Sequence, residues 1–170
     1  MMMLLLVLLC HVTGVTAQTR TDKRAAKAAT AAAIKECMER DSFEIDVRTA
    51  FSMLGRSVSL SPYFSLTVRN DSVYSCLPYY GKAYILPYGG GEGLNFSTAV
   101  TDYRKGRGKK GSHEIRFSAR TSEDYYTFRV EIFDNGSTSI DVTMQNKQGM
   151  SFSGQLAEPK ADSGGKDRHH

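Results

Sequence analysis

Few residues of this 170-residue chain have the type and spacing that catalysis requires. His113 is the one histidine within the patterned part of the sequence, and it lies between Ser112 and Glu114 at the start of a predicted strand. A single histidine can act as a general base, so a hydrolase that uses His113 is one hypothesis. Alternate residues of a strand face opposite sides of a sheet, however, and no Gly-x-Ser-x-Gly elbow surrounds any serine. We therefore expect a protein that is not an enzyme and holds no cofactor.

Metal-binding spacing is also missing from the sequence. Cys37, Cys76 and His113 are widely separated, and neither Cys-x-x-Cys nor His-Glu-x-x-His occurs. His169 and His170 could ligate a metal together with a third group, although a short polar terminus explains them equally well. We expect no bound metal.

Residues 106–111 read Gly-Arg-Gly-Lys-Lys-Gly and match the Gly-x-Gly-x-x-Gly pattern of a phosphate-binding loop. Such a loop requires a following helix N-terminus, whereas Ile115, Phe117 and Ala119 alternate as a strand, so we expect a basic hairpin instead. The hairpin could contact a polyanion, such as lipid headgroups or glycans, or it could be a solvated turn. Aromatic residues are sparse around it, so nucleic acid is not an expected partner. Its cations are Arg104, Lys105, Arg107, Lys109, Lys110 and Arg116.

A second distinctive segment, residues 77–93, contains Leu-Pro-Tyr twice and is rich in tyrosine and glycine. Tyrosine offers a flat apolar face and a hydroxyl that suit contact with a ligand or sugar, and glycine permits close approach. The prolines exclude a regular central strand. The segment is either a ligand site or a crossing that closes one end of the fold. The candidate ligand-binding residues are Tyr79, Tyr80, Tyr84 and Tyr88.

Alternation of apolar and polar residues predicts the strands that position these groups. The alternation occurs at Phe43-Ile45-Val47, Phe64-Leu66-Val68, Ile115-Phe117-Ala119, Tyr126–Ile132 and Ile140–Met144, with shorter pieces at Leu94-Phe96 and Met150-Phe152. Turn signals separate the segments, and Asn135-Gly136 predicts a type I′ hairpin. Because no helical pattern intervenes, we expect an all-β domain, an antiparallel barrel or sandwich of about eight strands, comparable to lipocalins.

Residues 1–17 predict a signal peptide. They carry no charged side chain and open with the apolar run Met1–Leu9, which is too short to span a bilayer. Small residues lead up to Ala17, so we expect cleavage after Ala17 and export to the periplasm or the medium. A lipoprotein cleaved before Cys10 is the alternative, but Leu9 stands where a small residue is usual.

The predicted organisation has four parts. A signal peptide at 1–17 precedes an Ala/Lys-rich helix at 18–41, an antiparallel β domain at 42–156 and a disordered polar tail at 157–170. Export would place Cys37 and Cys76 in an oxidising compartment. They could form a disulfide, which for a loop of roughly 40 residues would stabilise the fold by about 4 kcal/mol, or remain as buried thiols.

The sequence resembles the bacterial domain-of-unknown-function family DUF4251 over about residues 23–156. The motifs that carry the resemblance are Leu-Pro-Tyr-Tyr-Gly-Lys-Ala-Tyr at 77–84, Pro87-Tyr88-Gly89-Gly90, Gly93-Leu94-x-Phe96 and Ser151-Phe152-Ser153-Gly154. Lys82 stands where the family commonly has arginine, and Phe152 where it has tyrosine. The resemblance implies an exported envelope protein with no established activity and no catalytic residues to transfer.

These observations favour a non-catalytic ligand-binding β domain without a transmembrane segment in the mature chain. The alternative is a protein–protein interaction or inhibitor module of the cell envelope, which would dock through exposed strand edges or the basic hairpin. The expected partner is thus a small ligand or an envelope protein.

Overall fold

The structure, a computed structural model, describes residues 15–84 and 93–157, with side chains described from residue 22 onward except that of Lys110. Helix α1 (Val15–Arg40) is followed by nine strands and one 3-10 turn, Lys109–Gly111. The strands are β1 (Phe43–Ser52), β2 (Ser57–Ser59), β3 (Ser65–Arg69), β4 (Ser72–Leu77), β5 (Leu94–Arg107), β6 (His113–Arg120), β7 (Tyr125–Ile132), β8 (Ser137–Met144) and β9 (Met150–Leu156).

Eight of these strands close into an up-and-down antiparallel barrel. From β3 to β9 each strand pairs with its neighbour in sequence, and β1 pairs with both β3 and β9. The short β2 adds to the last residues of β1. The predicted all-β antiparallel barrel with a preceding helix is therefore confirmed. The strands β1, β4, β6 and β8 all finish at one end of the barrel, and we call this end the open end.

The barrel closes where β1 meets β9. The register of this pair shifts between Val47 and Thr49, and Gly154 of β9 lies opposite Val47. A Cβ atom on Gly154 would lie 2.2 Å from the Asp46 carbonyl oxygen, well inside van der Waals contact. Glycine at this position lets the two backbones approach closely enough to close the barrel.

Aromatic rings from β5, β6 and β7 occupy the middle of the barrel. Phe96 stacks on Tyr126 with ring centroids 4.4 Å apart, and Phe117 stacks on Phe128 at 4.8 Å. Phe152 of β9 is also almost fully buried. The inward residues that alternation predicted thus form one continuous apolar core.

Helix α1 covers the other end of the barrel, which we call the helix end. Its residues Ala33, Ile34 and Cys37 are buried in the core, whereas residues 22–29 are exposed. The Lys105 ammonium ties the end of the helix to β5 by donating to the Met38 carbonyl oxygen at 2.7 Å. No helix in the described part of the chain is long and apolar enough to cross a membrane.

The structure fixes the type of two hairpin turns and corrects the prediction for one of them. Asn70 and Asp71 both have positive φ, 51° and 55°, and form the two-residue type I′ turn between β3 and β4. At Asn135-Gly136 only Gly136 has positive φ, 76°, so the type I′ prediction there was wrong. A type I′ turn centred on Asn135-Gly136 would be closed by Asp134 and Ser137. Here the Phe133 amide donates to the Ser137 carbonyl at 2.9 Å, so the turn contains three residues, 134–136.

Candidate functional site

The described part of the tyrosine segment lies across the open end of the barrel. Residues 78–84, which we call the lid segment, follow β4 and contact the turn between β8 and β9. The Tyr84 amide donates to the Asn146 carbonyl at 2.8 Å, and the Gln148 amide donates to the Lys82 carbonyl at 2.8 Å. These two bonds form a short antiparallel ladder that fastens the lid segment to the barrel.

Tyr79, itself part of the lid segment, links this segment to the β8–β9 turn. Its hydroxyl donates to the Lys82 carbonyl at 2.7 Å and lies 3.1 Å from the Gln148 carbonyl oxygen. Burial raises the pKa of Tyr79, and a Cβ atom on Gly81 would lie 2.5 Å from its hydroxyl oxygen. The Tyr79 hydroxyl is therefore engaged within the protein rather than presented to a ligand.

The turn that receives the lid segment is held by an acidic pair that sequence analysis did not single out. The Asp124 carboxylate accepts hydrogen bonds from the backbone amides of Tyr125, Gln145 and Asn146. The Lys147 side chain is only 4% exposed, and its ammonium lies 3.4 Å from the Glu123 carboxylate. The sole sequence signal for this arrangement is the adjacency of Glu123 and Asp124 before β7.

The remaining candidate tyrosines have a different environment. Tyr80 is 44% exposed and Tyr84 is 70% exposed, whereas Tyr88 lies outside the described residues. The structure thus separates one structural tyrosine, Tyr79, from two that are available for contact.

The β1–β2 hairpin adds exposed apolar residues that sequence analysis missed. Met53 and Leu54, which we call the apolar tip, lie in its turn and are 70% and 54% exposed. The turn is closed by the Gly55 amide, which donates to the Ser52 carbonyl at 3.0 Å. The turns that join β3 to β4, β5 to β6 and β7 to β8 consist of polar residues and glycine, namely Asn70-Asp71, Lys109-Lys110-Gly111 and Asp134-Asn135-Gly136. Turns usually consist of small or polar residues, so two large apolar side chains in a turn are unusual. Departures of this kind are typical of functional positions.

The apolar tip and the lid segment share one end of the molecule. Ser52 pairs with Met150 at the start of β9, and Gln148, two residues earlier, bonds to the lid segment. Seven large apolar or aromatic residues are exposed in the described chain, and all except Tyr74 lie at this end. We call these six the open-end surface: Phe51, Met53, Leu54, Tyr63, Tyr80 and Tyr84.

The cations of the basic hairpin do not converge on one site. The Lys105 ammonium lies on the inner face, 2.8 Å from the Asp41 carboxylate, and the Arg116 Nε lies 2.6 Å from the Glu114 carboxylate. Arg104 pairs in register with Arg116, and Arg107 pairs with His113, so Arg104 and Arg107 face opposite sides of the sheet. The glycine-rich stretch ends in the 3-10 turn and leads into β6, as expected for a hairpin rather than a phosphate-binding loop.

An ion-pair network lies on the outer face of β6, β7 and β8. Glu114 accepts from Arg116 and, at 2.7 Å, from Arg129, and Arg129 also contacts Glu131 and Asp141. Hydrogen bonds from Arg116 and Arg129 hold the pKa of Glu114 below its usual range. A carboxylate held ionised in this way is poorly suited to donate a proton in catalysis.

His113 lies at the helix end with its side chain on the face shared by Arg107 and Ile132. Glu114 faces the other side, as the alternation predicted. Within the described ranges, no three His, Cys, Asp or Glu residues come together in a way that could hold a metal ion. His169 and His170 lie outside those ranges.

Cys37 and Cys76 are both free, so the disulfide considered from the sequence is not formed. Cys37 is buried beneath α1, whereas Cys76 is exposed on the outer face of β4. Burial, with a smaller contribution from the Asp41 carboxylate, raises the pKa of Cys37 to about 12. The Cys37 thiol is therefore protonated at neutral pH and is a poor nucleophile.

A surface depression of about 490 Å³, open to solvent, lies at the helix end beside the β7–β8 turn. Its lining consists of Ser112, Phe133, Asp134, Asn135 and Ser137. The depression lies at the opposite end of the barrel from Tyr79, Tyr80 and Tyr84.

Comparison with known proteins identifies relatives by sequence family and by fold. The crystal structure of a DUF4251 family protein from Bacteroides eggerthii superposes with a TM-score of 0.58 at 16% sequence identity, covering 79% of this chain and 88% of that chain. A search of curated proteins found no match. The family model for the domain of unknown function DUF4251 matches residues 25–156, which include the end of α1 and the complete barrel. The chain therefore belongs to the DUF4251 family.

Proposed function

We propose that this protein is a non-catalytic interaction module that docks on a partner protein through the open-end surface. The observation that carries the proposal is the apolar tip, where Met53 and Leu54 are exposed in a tight turn. Their burial in an interface would contribute about 2–3 kcal/mol, because a fully buried side chain of this size contributes about 1.5–3 kcal/mol. Tyrosine and methionine are also enriched at the buried centres of protein interfaces.

The barrel interior supports a partner that binds outside the barrel rather than a small ligand carried within it. Stacked aromatic rings occupy the middle of the core, and Tyr79 holds the lid segment over the mouth. A small ligand would instead contact the exposed faces of Tyr80 and Tyr84, so the ligand-binding alternative uses part of the same surface.

The candidate catalytic groups support a non-catalytic role. The raised pKa of Cys37 keeps its thiol protonated, and Glu114 is engaged by two arginines. Glu114 and His113 face opposite sides of β6, which separates the acid from the base. A hydrolase that uses His113 would be revealed by turnover that disappears in His113→Ala.

We also propose that the protein is exported after removal of residues 1–17. An uncharged apolar leader followed by small residues supports this proposal. Mass spectrometry of the native protein tests it, because export predicts a mature chain that starts at Gln18. Recovery of the full chain with Met1 in the cytoplasmic fraction would contradict it.

Site-specific photo-crosslinking in the native host tests the open-end surface. A photoreactive residue at position 54 or 84 should give a discrete crosslinked protein, whereas one at position 74 should not. Tyr74 is a suitable control because it is also an exposed tyrosine, at 39%, but lies on the outer face of β4 and outside the open-end surface. The same adduct from position 74, or no adduct from position 54 or 84, would reject the proposal.

A variant with Met53→Ser and Leu54→Ser separates a protein partner from a small ligand. The crosslink at position 84 should be lost in this variant if a protein spans both features. Because both side chains are largely exposed, the variant should keep the thermal melting transition of the wild-type protein. Retention of the crosslink would restrict the contact to the lid segment.

A further inference from the structure

The far end of β5 presents a backbone edge that no other strand covers. β4 pairs with β5 only from Leu94 to Ala99, while β6 pairs with β5 as far as Arg107. On the β4 side, the next backbone hydrogen bond after this pairing is the one that the Val100 amide donates to the Asp71 carbonyl at 2.8 Å. Beyond it, no strand of the described chain pairs with this side of β5.

A β-bulge divides this edge. The register with β6 shifts between Thr101 and Arg104, and Asp102 within the shift has a φ of 53°. From Arg104 to Arg107 the pairing with β6 is regular again, so these four residues form a standard strand edge. Arg104, Gly106 and Arg107 are exposed. An unpaired edge of this kind is a template for an added strand.

The charges along the edge indicate which charge a strand that pairs with it would carry. Lys105 is engaged by Asp41, but Arg104, Arg107 and Lys109 have no acidic partner among the described residues. Two such basic edges would repel each other, so the charges disfavour pairing between copies of this chain. The same charges would attract carboxylates on an incoming strand.

From this unpaired edge and its free cations, we infer that β5 accepts an extended acidic peptide segment of a partner protein as an additional strand at Arg104–Arg107. Backbone hydrogen bonds would supply the pairing, and carboxylates would contact Arg104 on the outer face and Arg107 on the inner face. Because these arginines are three residues apart, the matching carboxylates must also be three residues apart. The site lies at the helix end and is independent of the open-end surface.

A pair of isomeric peptides tests this geometry. The first, Thr-Glu-Val-Thr-Glu-Val-Thr with blocked termini, places its glutamates three residues apart and so on opposite faces. The second, Thr-Glu-Val-Glu-Thr-Val-Thr, has the same composition but places both glutamates on one face. Titrations of the isotope-labelled protein, followed by amide chemical shifts, should show tighter binding of the first peptide and perturbation of residues 104–107.

Backbone pairing and charge have separate readouts. Amide hydrogen exchange at Arg104–Arg107 should slow when the first peptide binds, and the same peptide N-methylated at every residue should not bind. The double variant Arg104→Glu with Arg107→Glu should weaken binding about tenfold, as expected for the loss of two exposed ion pairs. Lys27→Glu with Lys23→Glu is the matched control, because both lysines are exposed on α1 and the change in charge is equal.

Three results would overturn the inference. Equal affinities for the two isomers would show attraction by charge alone. Binding of the N-methylated peptide, or unchanged exchange at residues 104–107, would exclude strand addition. Absence of binding by either isomer at millimolar concentration would exclude the site.

Discussion

Replacement of Gly154 by alanine tests how closely the first and last strands of the barrel approach. The new Cβ atom would lie 2.2 Å from the Asp46 carbonyl oxygen and 3.0 Å from the Asp46 carbonyl carbon and the Val47 Cα. All three are backbone atoms within a paired strand, so no side chain can rotate away. Overpacking costs about 1–3 kcal/mol, and we expect Gly154→Ala to reduce the free energy of unfolding by at least about 2 kcal/mol.

Gly106→Ala is the matched control within the same sheet. No atom lies within 4 Å of its added Cβ, and alanine in a strand should be neutral or stabilising by about 0.5 kcal/mol relative to glycine. Urea unfolding should therefore give a lower midpoint for Gly154→Ala at an unchanged m-value, with a melting temperature lower by about 6 °C. Equal midpoints for the two variants would refute the close approach of β1 and β9.

Three further predictions concern single side chains. Tyr79→Phe should lower the free energy of unfolding by about 1 kcal/mol and speed amide exchange in the lid segment, because it removes the hydroxyl group that contacts the Lys82 and Gln148 carbonyls. Tyr63→Phe, on a ring that is 82% exposed, should change neither the free energy of unfolding nor the exchange rates measured by hydrogen exchange. Because the pKa of Glu114 is lowered in the fold, its contribution to stability is present above the unfolded-state pKa near 4.5 and is lost as pH falls through the folded-state pKa. The difference in urea midpoint between wild type and Glu114→Gln should thus shrink in acid, and a constant difference from pH 7 to pH 3 would contradict this. In a chain that starts at Gln18, a thiol reagent at neutral pH should modify exposed Cys76 quickly and buried Cys37 only after unfolding; rapid modification of two thiols would show that Cys37 is accessible.

The fold was predictable where strands alternate in hydrophobicity, and less so elsewhere. β4 has no clear pattern because Ser75 occupies an inward position, where its hydroxyl donates to the Leu94 carbonyl at 2.6 Å. β5 was expected only as the short piece Leu94-Phe96. It continues to Arg107 because its inner face beyond the bulge meets the end of α1, where Lys105 finds a carbonyl and a carboxylate. A charged inward residue of this kind conceals a strand from pattern analysis.

The candidate site was predictable as a segment but not residue by residue. Composition drew attention to the tyrosines, and the structure shows that the described part of the segment covers the open end. Whether a tyrosine is engaged or exposed depends on the β8–β9 turn, more than 60 residues further along the chain. The burial of Lys147, which pairs with Ala83 and lies over the Tyr79 ring, depends on the same long-range pairing, which no local pattern encodes.

The position of the domain's two ends has a consequence for how the protein is presented. The barrel begins at Phe43, next to α1, and it finishes at Leu156, whose amide donates to the Gly136 carbonyl at the helix end. Both connections therefore leave from the same pole of the molecule. Met53 and Leu54 lie at the opposite pole, away from both connections. A partner that docks on the open-end surface, as proposed, would therefore approach the barrel from the pole opposite both of these connections.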